Sequence, residues 1–552
     1  MPDFWKQDFK KRIIVTLQLL LVFFILVGAT TPPASETENP DLQSSPEYAP
    51  GKVIVKLKGG GLAAAQSQVA ALDAIQQIQA RHRIASARPV FVGPFSEPEL
   101  ATEVGLERIF LLDLPEGQEV QSAIAELTSD PSVEYAEPDY ILTIATDTDD
   151  VYFYQQWALH NTGQYIYGSL PGSGLLDADI DIPEAWAITK GKAEIIIAVV
   201  DTGADLTHPD LASKLVPGYN IIEGNINTQD DNGHGTHVAG IAAAATNNTN
   251  GVAGVCWECK IMPVKAMKAD GSGTLENVAQ GVRYAADHGA HVINLSVTTD
   301  SNVDTLLSAV RYAYLKNIPT VAAMGNAGNN KALYPAAYPE TIAVGATNKY
   351  DLRPSYSSFG NHIDLAAPGS DIYSTYWVSP NQHTYAYSSG TSMATPHVAG
   401  VIGLMRSITT RLTVEETRKI LRDSADDLGT LGWDIYYGAG RLNAYTTLQT
   451  TKKVISSLRL AGPKYVPPET ESAYSVTVSL STAQTPITYT WTATGQDPVT
   501  STITRLSNQV KFTWAEAGTK TVRVTASNGL TSRTVSTTVY VGWPIYMPSI
   551  RK

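Results

Sequence analysis

Three strings, widely separated in a chain of 552 residues, hold the groups that nucleophilic catalysis requires. Residues 388–400, SSGTSMATPHVAG, set Ser392 among small residues just ahead of a run that reads as a buried helix. A serine in the first turn of a helix commonly does no more than cap free amides. Because a serine hydroxyl is a poor nucleophile at neutral pH, it gains a chemical role only if a base and an orienting acid stand elsewhere. The base is offered by residues 231–240, DNGHGTHVAG, where His234 and His237 flank Gly-Thr at the head of an Ala-rich stretch. Two histidines at this separation could also share a metal, yet the Glu-bearing i, i+4 spacing of zinc peptidases is absent. Gly235 permits another segment to approach His234 closely. The acid is offered by residues 199–210, VVDTGADLTHPD, in which Asp201 ends an apolar run. A buried carboxylate there needs hydrogen-bond donors or a cation. In such a set the histidine takes the serine proton, the aspartate fixes the imidazole tautomer, and the oxyanion that forms needs preorganised donors.

The elements around these strings are those of a parallel sheet. EIIIAVV at 194–200 is apolar throughout, as suits a strand buried on both faces, and Asp201 then falls at its carboxyl end, the edge where open α/β sheets bind ligands. HVINLSV at 291–297 and IPTVAAMGNAGN at 318–329 read as further buried strands, alternating with helices predicted over 274–288 and 302–316. Repeated βα units predict a doubly wound, mostly parallel sheet. Residues 51–145 form a separate small α+β unit, with strands at KVIVKLK, RIFLLDL and VEYAEPDYIL and helices over 62–81 and 118–129. After residue 460, five runs alternating Val and aromatics with Thr, the first SVTVSL and the last RTVSTTVYV, predict an all-β sandwich over 460–541, with a tail at 542–552.

Composition narrows the field. The chain is 43% hydrophobic and 17% charged, the balance of a folded protein, and its length predicts several domains. A formal net charge of -13 speaks against nucleic acid or anionic lipid as a partner. The basic KKR at 10–12, the apolar run Ile13 to Val27 and the following Gly28-Ala29 have the form of a secretory signal peptide over 1–29. The run is shorter than the roughly 20 residues a membrane span needs, so export is expected, with an uncleaved anchor as the alternative, and the membrane is met only through this segment. Residues 30–50, rich in Pro, Ser and Glu, read as a linker. Cys256 and Cys259 are the only cysteines. A structural zinc site wants four ligands, and the strand-helix context of a redox motif is absent. After export the pair is expected as a local disulfide or as two idle thiols.

The three strings together, in the order Asp201, His234, Ser392, resemble the subtilisin-like serine proteases, and the closing YYGAGRLNAYTTL is similar to that family's last catalytic segment. The resemblance runs from about 150 to 448 and implies a catalytic domain over 146–450 and a secreted serine endopeptidase acting on proteins or peptides. It implies Asp201, His234 and Ser392 as the triad, with the Ser392 amide and the Asn326 side chain as oxyanion donors. It also implies two substrate edges, Gly271-Ser272-Gly273 and Ser296-Val297-Thr298. Thr298 stands where the family has glycine, and Leu333 falls near the floor of the pocket for the residue preceding the cut; both narrow or reshape that pocket. Structural calcium is implied at the loop TNNTNGVAG, 246–254, through Thr246, Asn248, Asn250 and Val252, with Asp210 and Asp150 or Asp149 as carboxylates.

The 51–145 unit resembles the family's ferredoxin-like inhibitor propeptides, which implies intramolecular inhibition and self-cleavage between Leu142 and Asp150. The C-terminal strands resemble PKD-like, immunoglobulin-type modules, which implies binding to an insoluble substrate or cell surface or a spacer role, and the whole is expected to be monomeric. An esterase is disfavoured because the G-x-S-x-G elbow is missing. The remaining alternative is a catalytically inactive binding protein on the same fold, against which stands the presence of all the triad and oxyanion residues.

Overall fold

A computed structural model describes residues 48–543 apart from 59–63, 92–94, 96–97, 116, 141–147, 165, 167–173 and 381. The signal segment, most of the linker, most of the expected cleavage stretch and nearly all of the C-terminal tail lie outside the described residues. The chain divides at Ala145 into two compact units.

The first unit runs β1 (Tyr48–Leu57), α1 (Ala64–His82), β2 (Ser86–Pro89), α2 (Pro98–Val104), β3 (Ile109–Asp113), α3 (Val120–Thr128) and β4 (Val133–Tyr140). Its four strands pair antiparallel in the order β2-β3-β1-β4, the ferredoxin-like arrangement. The sheet face toward the helices is apolar: Val53, Val55, Phe110 and Leu112 are at most 1% exposed and pack with Ile78 and Leu127. β1 begins at Tyr48, inside the stretch read as linker, because Tyr48 pairs with Tyr140 of β4.

The second unit opens with α4 (Ile182–Trp186), β5 (Ile196–Asp201), β6 (Tyr219–Asn220), α5 (His234–Ala243), β7 (Lys260–Lys265), α6 (Leu275–Asp287) and β8 (Val292–Leu295). It continues with α7 (Asp304–Leu315), β9 (Thr320–Ala323), β10 (Thr341–Thr347), β11 (Leu365–Pro368), the hairpin β12 (Ile372–Ser379) and β13 (Gln382–Ser388), α8 (Thr391–Ile408), α9 (Val414–Asp423) and α10 (Ala444–Thr451). Seven parallel strands form one sheet in the order β11-β10-β9-β8-β5-β7-β6. The apolar run of β5 serves both faces, as its lack of alternation implied. Ile197 and Val199 pack with residues of α5 and α8, while Ala198 and Val200 pack with residues of α6 and α7. The chain steps from β5 to β7 on one side and to β8 on the other, so the end of β5 lies at the switch point of the sheet.

The sandwich comprises β14 (Ser457–Ala461), β15 (Tyr465–Val466), β16 (Ser472–Ser479), β17 (Ile487–Ala493), β18 (Val499–Ile503), β19 (Ser507–Phe512), β20 (Gly518–Ser527) and β21 (Ser532–Val541), in sheets of three and five strands. The five predicted strands are present. The three additional ones, β14, β15 and β18, are five residues or fewer and each lies at a sheet edge, where one strand face carries little apolar alternation. Strict alternation in β17 sends Ile487, Tyr489 and Trp491 fully into the core. The sandwich is not an independent body but belongs to the second unit. Arg533 donates twice to the Glu416 carboxylate, at 2.6 and 2.9 Å, and also to the Arg411 carbonyl at 3.0 Å, fastening β21 to the start of α9. Bidentate geometry on side chains only about one-sixth exposed makes this pair worth more than a surface ion pair.

Candidate active site

Asp201 ends β5 fully buried, and its Oδ1 accepts from the Thr202 amide at 2.7 Å and faces His234 Nδ1 at 2.7 Å. A carboxylate can only accept, so Nδ1 carries the proton and Nε2 keeps its lone pair in the neutral ring. Burial lowers the proton affinity of His234, but the charge and hydrogen bond of Asp201 outweigh it and hold the pKa above the ordinary value of 6.5. The imidazole is still 31% exposed, open to a reactant.

The approach of the two is set by backbone. Gly235 follows His234 in the first turn of α5, and a Cβ there would lie 2.2 Å from the Gly203 carbonyl oxygen. Its amide donates to Thr202 Oγ1 at 2.9 Å, tying the helix start to the turn after Asp201. Lys265, paired with Asp201 in the β5–β7 register, sends Nζ to the Thr202 carbonyl at 2.7 Å and to Asp231 at 2.6 Å. Asp230, fully buried, accepts from the Thr236 amide at 2.9 Å and from its hydroxyl at 2.5 Å. Burial alone would raise its pKa, yet the hydroxyl and amides of this turn bring it below the usual carboxylate value, placing a negative charge at the positive end of α5. Thr202, Lys265 and Asp230 were not singled out in the sequence; a lysine inside a buried strand was the available signal.

His237 has no part in this pair. Its Nε2 donates to the carbonyls of Ile372 and Ala386, at 3.1 and 3.0 Å, joining α5 to the β12–β13 hairpin. Full burial pushes its pKa down to about 4, so it is a neutral structural bridge.

Ser392 is the second residue of α8, which packs beside α5. Its Oγ donates to the Ser296 carbonyl at 3.1 Å, and Ser296 Oγ donates back to the Ser392 carbonyl at 2.8 Å. That carbonyl is free because Pro396, four residues on and inside the helix, has no amide hydrogen to give it. Asn326 lies just past β9, exposed, and its Oδ1 accepts from the Thr391 amide at 2.9 Å and hydroxyl at 3.0 Å. With the oxygen occupied in this way, Nδ2 is the end left to donate. Thr391 is thus the orienting residue that the sequence reading passed over.

Neither expected substrate edge is paired in a sheet. Gly271-Ser272-Gly273 is an exposed turn closed by Lys268 N to Ser272 O at 2.7 Å, and Ser296-Val297-Thr298 runs on from β8. Gly273, Val297 and Thr298 line one groove together with Leu275, Tyr334 and Pro335. Leu333 lies against Gly325, where an added Cβ would meet its Cδ1 at 2.3 Å.

The 246–254 loop closes on two buried carboxylates. Asp150 accepts from the amides of Asn247 and Asn248, at 2.8 and 3.2 Å. Asp210 accepts from Asn248 Nδ2 at 3.0 Å, Asn250 Nδ2 at 3.2 Å and the Val252 amide at 2.8 Å. The Asn248 amide oxygen, expected as a calcium ligand, accepts from the Asn250 amide at 2.9 Å, while its nitrogen turns to the Asp210 carboxylate. Thr246 Oγ1 closes the loop base on Gly254, and Asp149 caps Thr249. No group of three acidic, histidine or cysteine side chains suited to a metal occurs among the described residues. Cys256 and Cys259 form a disulfide, fully buried.

The subtilase family profile matches residues 192–440, and the PKD domain profile matches residues 457–541. A thermophilic serine proteinase of Bacillus sp. (strain AK1) is 43% identical over 329 residues, 60% of this chain and 76% of that protein. Thermitase of Thermoactinomyces vulgaris is 47% identical over 270 residues, 49% of this chain and 94% of that protein. A cell wall-associated protease of Bacillus subtilis (strain 168) is 39% identical over 313 residues, 56% of this chain and 33% of that protein.

Proposed function

The chain belongs to the subtilase family and is a subtilisin-like serine endopeptidase acting on protein substrates, and from that premise we propose that Ser392 is its nucleophile, His234 its general base and Asp201 the residue that orients the base. The observation that carries the assignment is the 2.7 Å contact between His234 Nδ1 and a fully buried Asp201, which leaves Nε2 as the free basic nitrogen. In attack, Ser392 Oγ leaves the Ser296 carbonyl, yields its proton to His234 Nε2 and bonds to the substrate carbonyl carbon. His234 then returns the proton to the departing amine, giving an acyl-enzyme that water hydrolyses by the same steps. The carbonyl oxygen, now charged, is received by the Ser392 amide at the start of α8 and by Asn326 Nδ2. A serine-directed phosphonate is expected to inactivate the enzyme at one equivalent, with the added mass on the peptide containing Ser392; label on any other serine would overturn the assignment.

Asn326→Ala is expected to lower kcat about 10² to 10³-fold with little change in KM, because the donor acts on charge that exists only in the transition state. A matching rise in KM with kcat intact would show a role in ground-state binding instead.

The loop between Asp150 and Asp210 is our proposed structural calcium site. Asp150 is 4% exposed and Asp210 fully buried. Burial above all, with a smaller contribution from the charge of Asp210, raises the Asp150 pKa against the hydrogen bonds from Thr148, Asn247 and Asn248. Loop carbonyls with two carboxylates suit a hard cation of flexible geometry. Removing divalent ions with a chelator is expected to lower Tm by several degrees, restored by calcium and not by magnesium, since a ligand at 100 times its Kd stabilises by about 2.7 kcal/mol. An unchanged Tm in both wild type and Asp210→Asn would exclude the site.

Residues 51–145 are read as an intramolecular inhibitor, released by self-cleavage, and residues 1–29 as an export signal. The ferredoxin-like order of the first unit and the cell wall-associated relative support this reading. No helix among the described residues is long and apolar enough to cross a membrane. The active form is proposed to be a monomer.

A further inference from the structure

We propose that the C-terminal sandwich is a fixed buttress of the catalytic part of the chain, docked on the turn between α8 and α9, and that its function is to stabilise the protease rather than to carry a separate partner on a tether.

A tethered module is normally joined by an exposed, polar stretch that few contacts cross. Here Val454 is fully buried in the core around α8, and Ile455, the next residue, is fully buried in the core of the sandwich. The chain passes from one core to the other within a single residue. The backbone of this crossing is held from the sandwich side. The Lys453 carbonyl accepts from the Gln484 amide at 2.7 Å and from Asn528 Nδ2 at 2.8 Å, the Ile455 amide donates to Thr531 Oγ1 at 2.7 Å, and the Ser456 amide donates to the Ser479 carbonyl at 2.8 Å. Leu480 and Leu530 of the sandwich pack against the same core as Val454. The other half of the docking surface is the 409–413 turn, which links α8 to α9. From inside, Arg406, only 3% exposed, donates to the carbonyls of Thr410 and Leu412 at 3.0 and 2.6 Å. From outside, Thr409 Oγ1 meets Ser456 Oγ at 2.8 Å, with both residues buried, and Arg533 reaches the Arg411 carbonyl. The Glu416 carboxylate that Arg533 holds also closes the capping box of α9, accepting from the Thr413 amide at 2.9 Å. One carboxylate thus caps the helix and receives the sandwich, so separating the two disturbs both sets of bonds. Ser392 lies in the first turn of α8 and Thr409 just past its other end, about 25 Å away at 1.5 Å per residue. The buttress therefore bears on the helix of the proposed nucleophile without reaching the site.

The test is calorimetric unfolding of the enzyme silenced by the phosphonate, with amide hydrogen exchange read on the same sample. One transition is expected for the second unit, in which amides of β17 in the sandwich and of α8 lose protection together. Leu530→Ala and Arg533→Met are each expected to lower that Tm by about 3 °C or more and to shorten the half-life of activity on heating. In both variants α8 loses protection along with β17, while kcat/KM at room temperature stays within about twofold of wild type, as suits a contact remote from the chemistry. Two separate transitions in the wild-type second unit, a measurement that needs no variant, overturn the proposal and leave the sandwich an independent module. Variants that loosen β17 while α8 protection and the heat half-life stay unchanged do the same. A loss of about tenfold or more in kcat/KM in a folded variant also overturns it, because the sandwich would then act on the site and not on stability.

Discussion

Ser392→Ala is expected to reduce kcat about a million-fold, a magnitude taken from subtilisin itself, and to yield a precursor that retains its first folded unit. The argument lies in what the hydroxyl touches. Among the described residues Ser392 Oγ has one hydrogen-bond partner, the Ser296 carbonyl, and the Ser296 Oγ to Ser392 carbonyl bond does not involve it. Removing the oxygen therefore costs little stability; a lost hydrogen bond of this kind is worth about 1 kcal/mol. The variant folds, keeps Asn326 and the oxyanion amide, and lacks only the atom that forms the covalent bond. Melting temperature, peptide hydrolysis and the mass of the purified chain check these points together. A pure Ser392→Ala protein that still trimmed itself at the 142–150 stretch would refute both the nucleophile and the self-processing proposed for it.

Asp201→Asn is expected to lower kcat by about 10⁴-fold while leaving the fold intact. In the wild type one oxygen, Oδ1, serves both the Thr202 amide and His234, and Oδ2 is buried with no hydrogen-bond partner among the described residues. An asparagine keeps the shape and loses the charge that compensates the imidazolium formed during attack. The same change alters pH dependence in a defined direction. His234 must be neutral to act as base, and Asp201 is what raises its pKa above 6.5 against the opposing effect of burial. Wild-type kcat/KM should accordingly fall on the acid side with a midpoint above 6.5, and in Asp201→Asn that limb should move to lower pH. A limb that stayed in place would mean that another group governs it.

Much of this site was legible because its chemistry demands unusual residues at strand and helix ends. An uninterrupted apolar run followed by Asp201 announced a buried strand with an acid at its edge, and the glycine beside His234 announced close approach; both are found. The residues that hold the site in register were not legible. Thr391, Lys265 and Asp230 are common polar types whose meaning comes from partners 65, 63 and 6 residues away. Asn248 shows another limit, since spacing says that an amide reaches a carboxylate but not which end it presents. In the sandwich, β17 declared itself by alternation, while β15, two residues long, has no period to read.

Pro396 carries one last consequence. A proline inside a helix costs about 3 kcal/mol, and here the missing backbone bond is replaced by the Ser296 hydroxyl from the end of β8. The first turn of α8 therefore has no complete set of partners of its own. An isolated segment of this helix can hold the sequence of the proposed nucleophile without its geometry, which is complete only once the β8 end has docked. The turn that carries the proposed nucleophile is in this sense assembled from two segments, and its geometry depends on their docking.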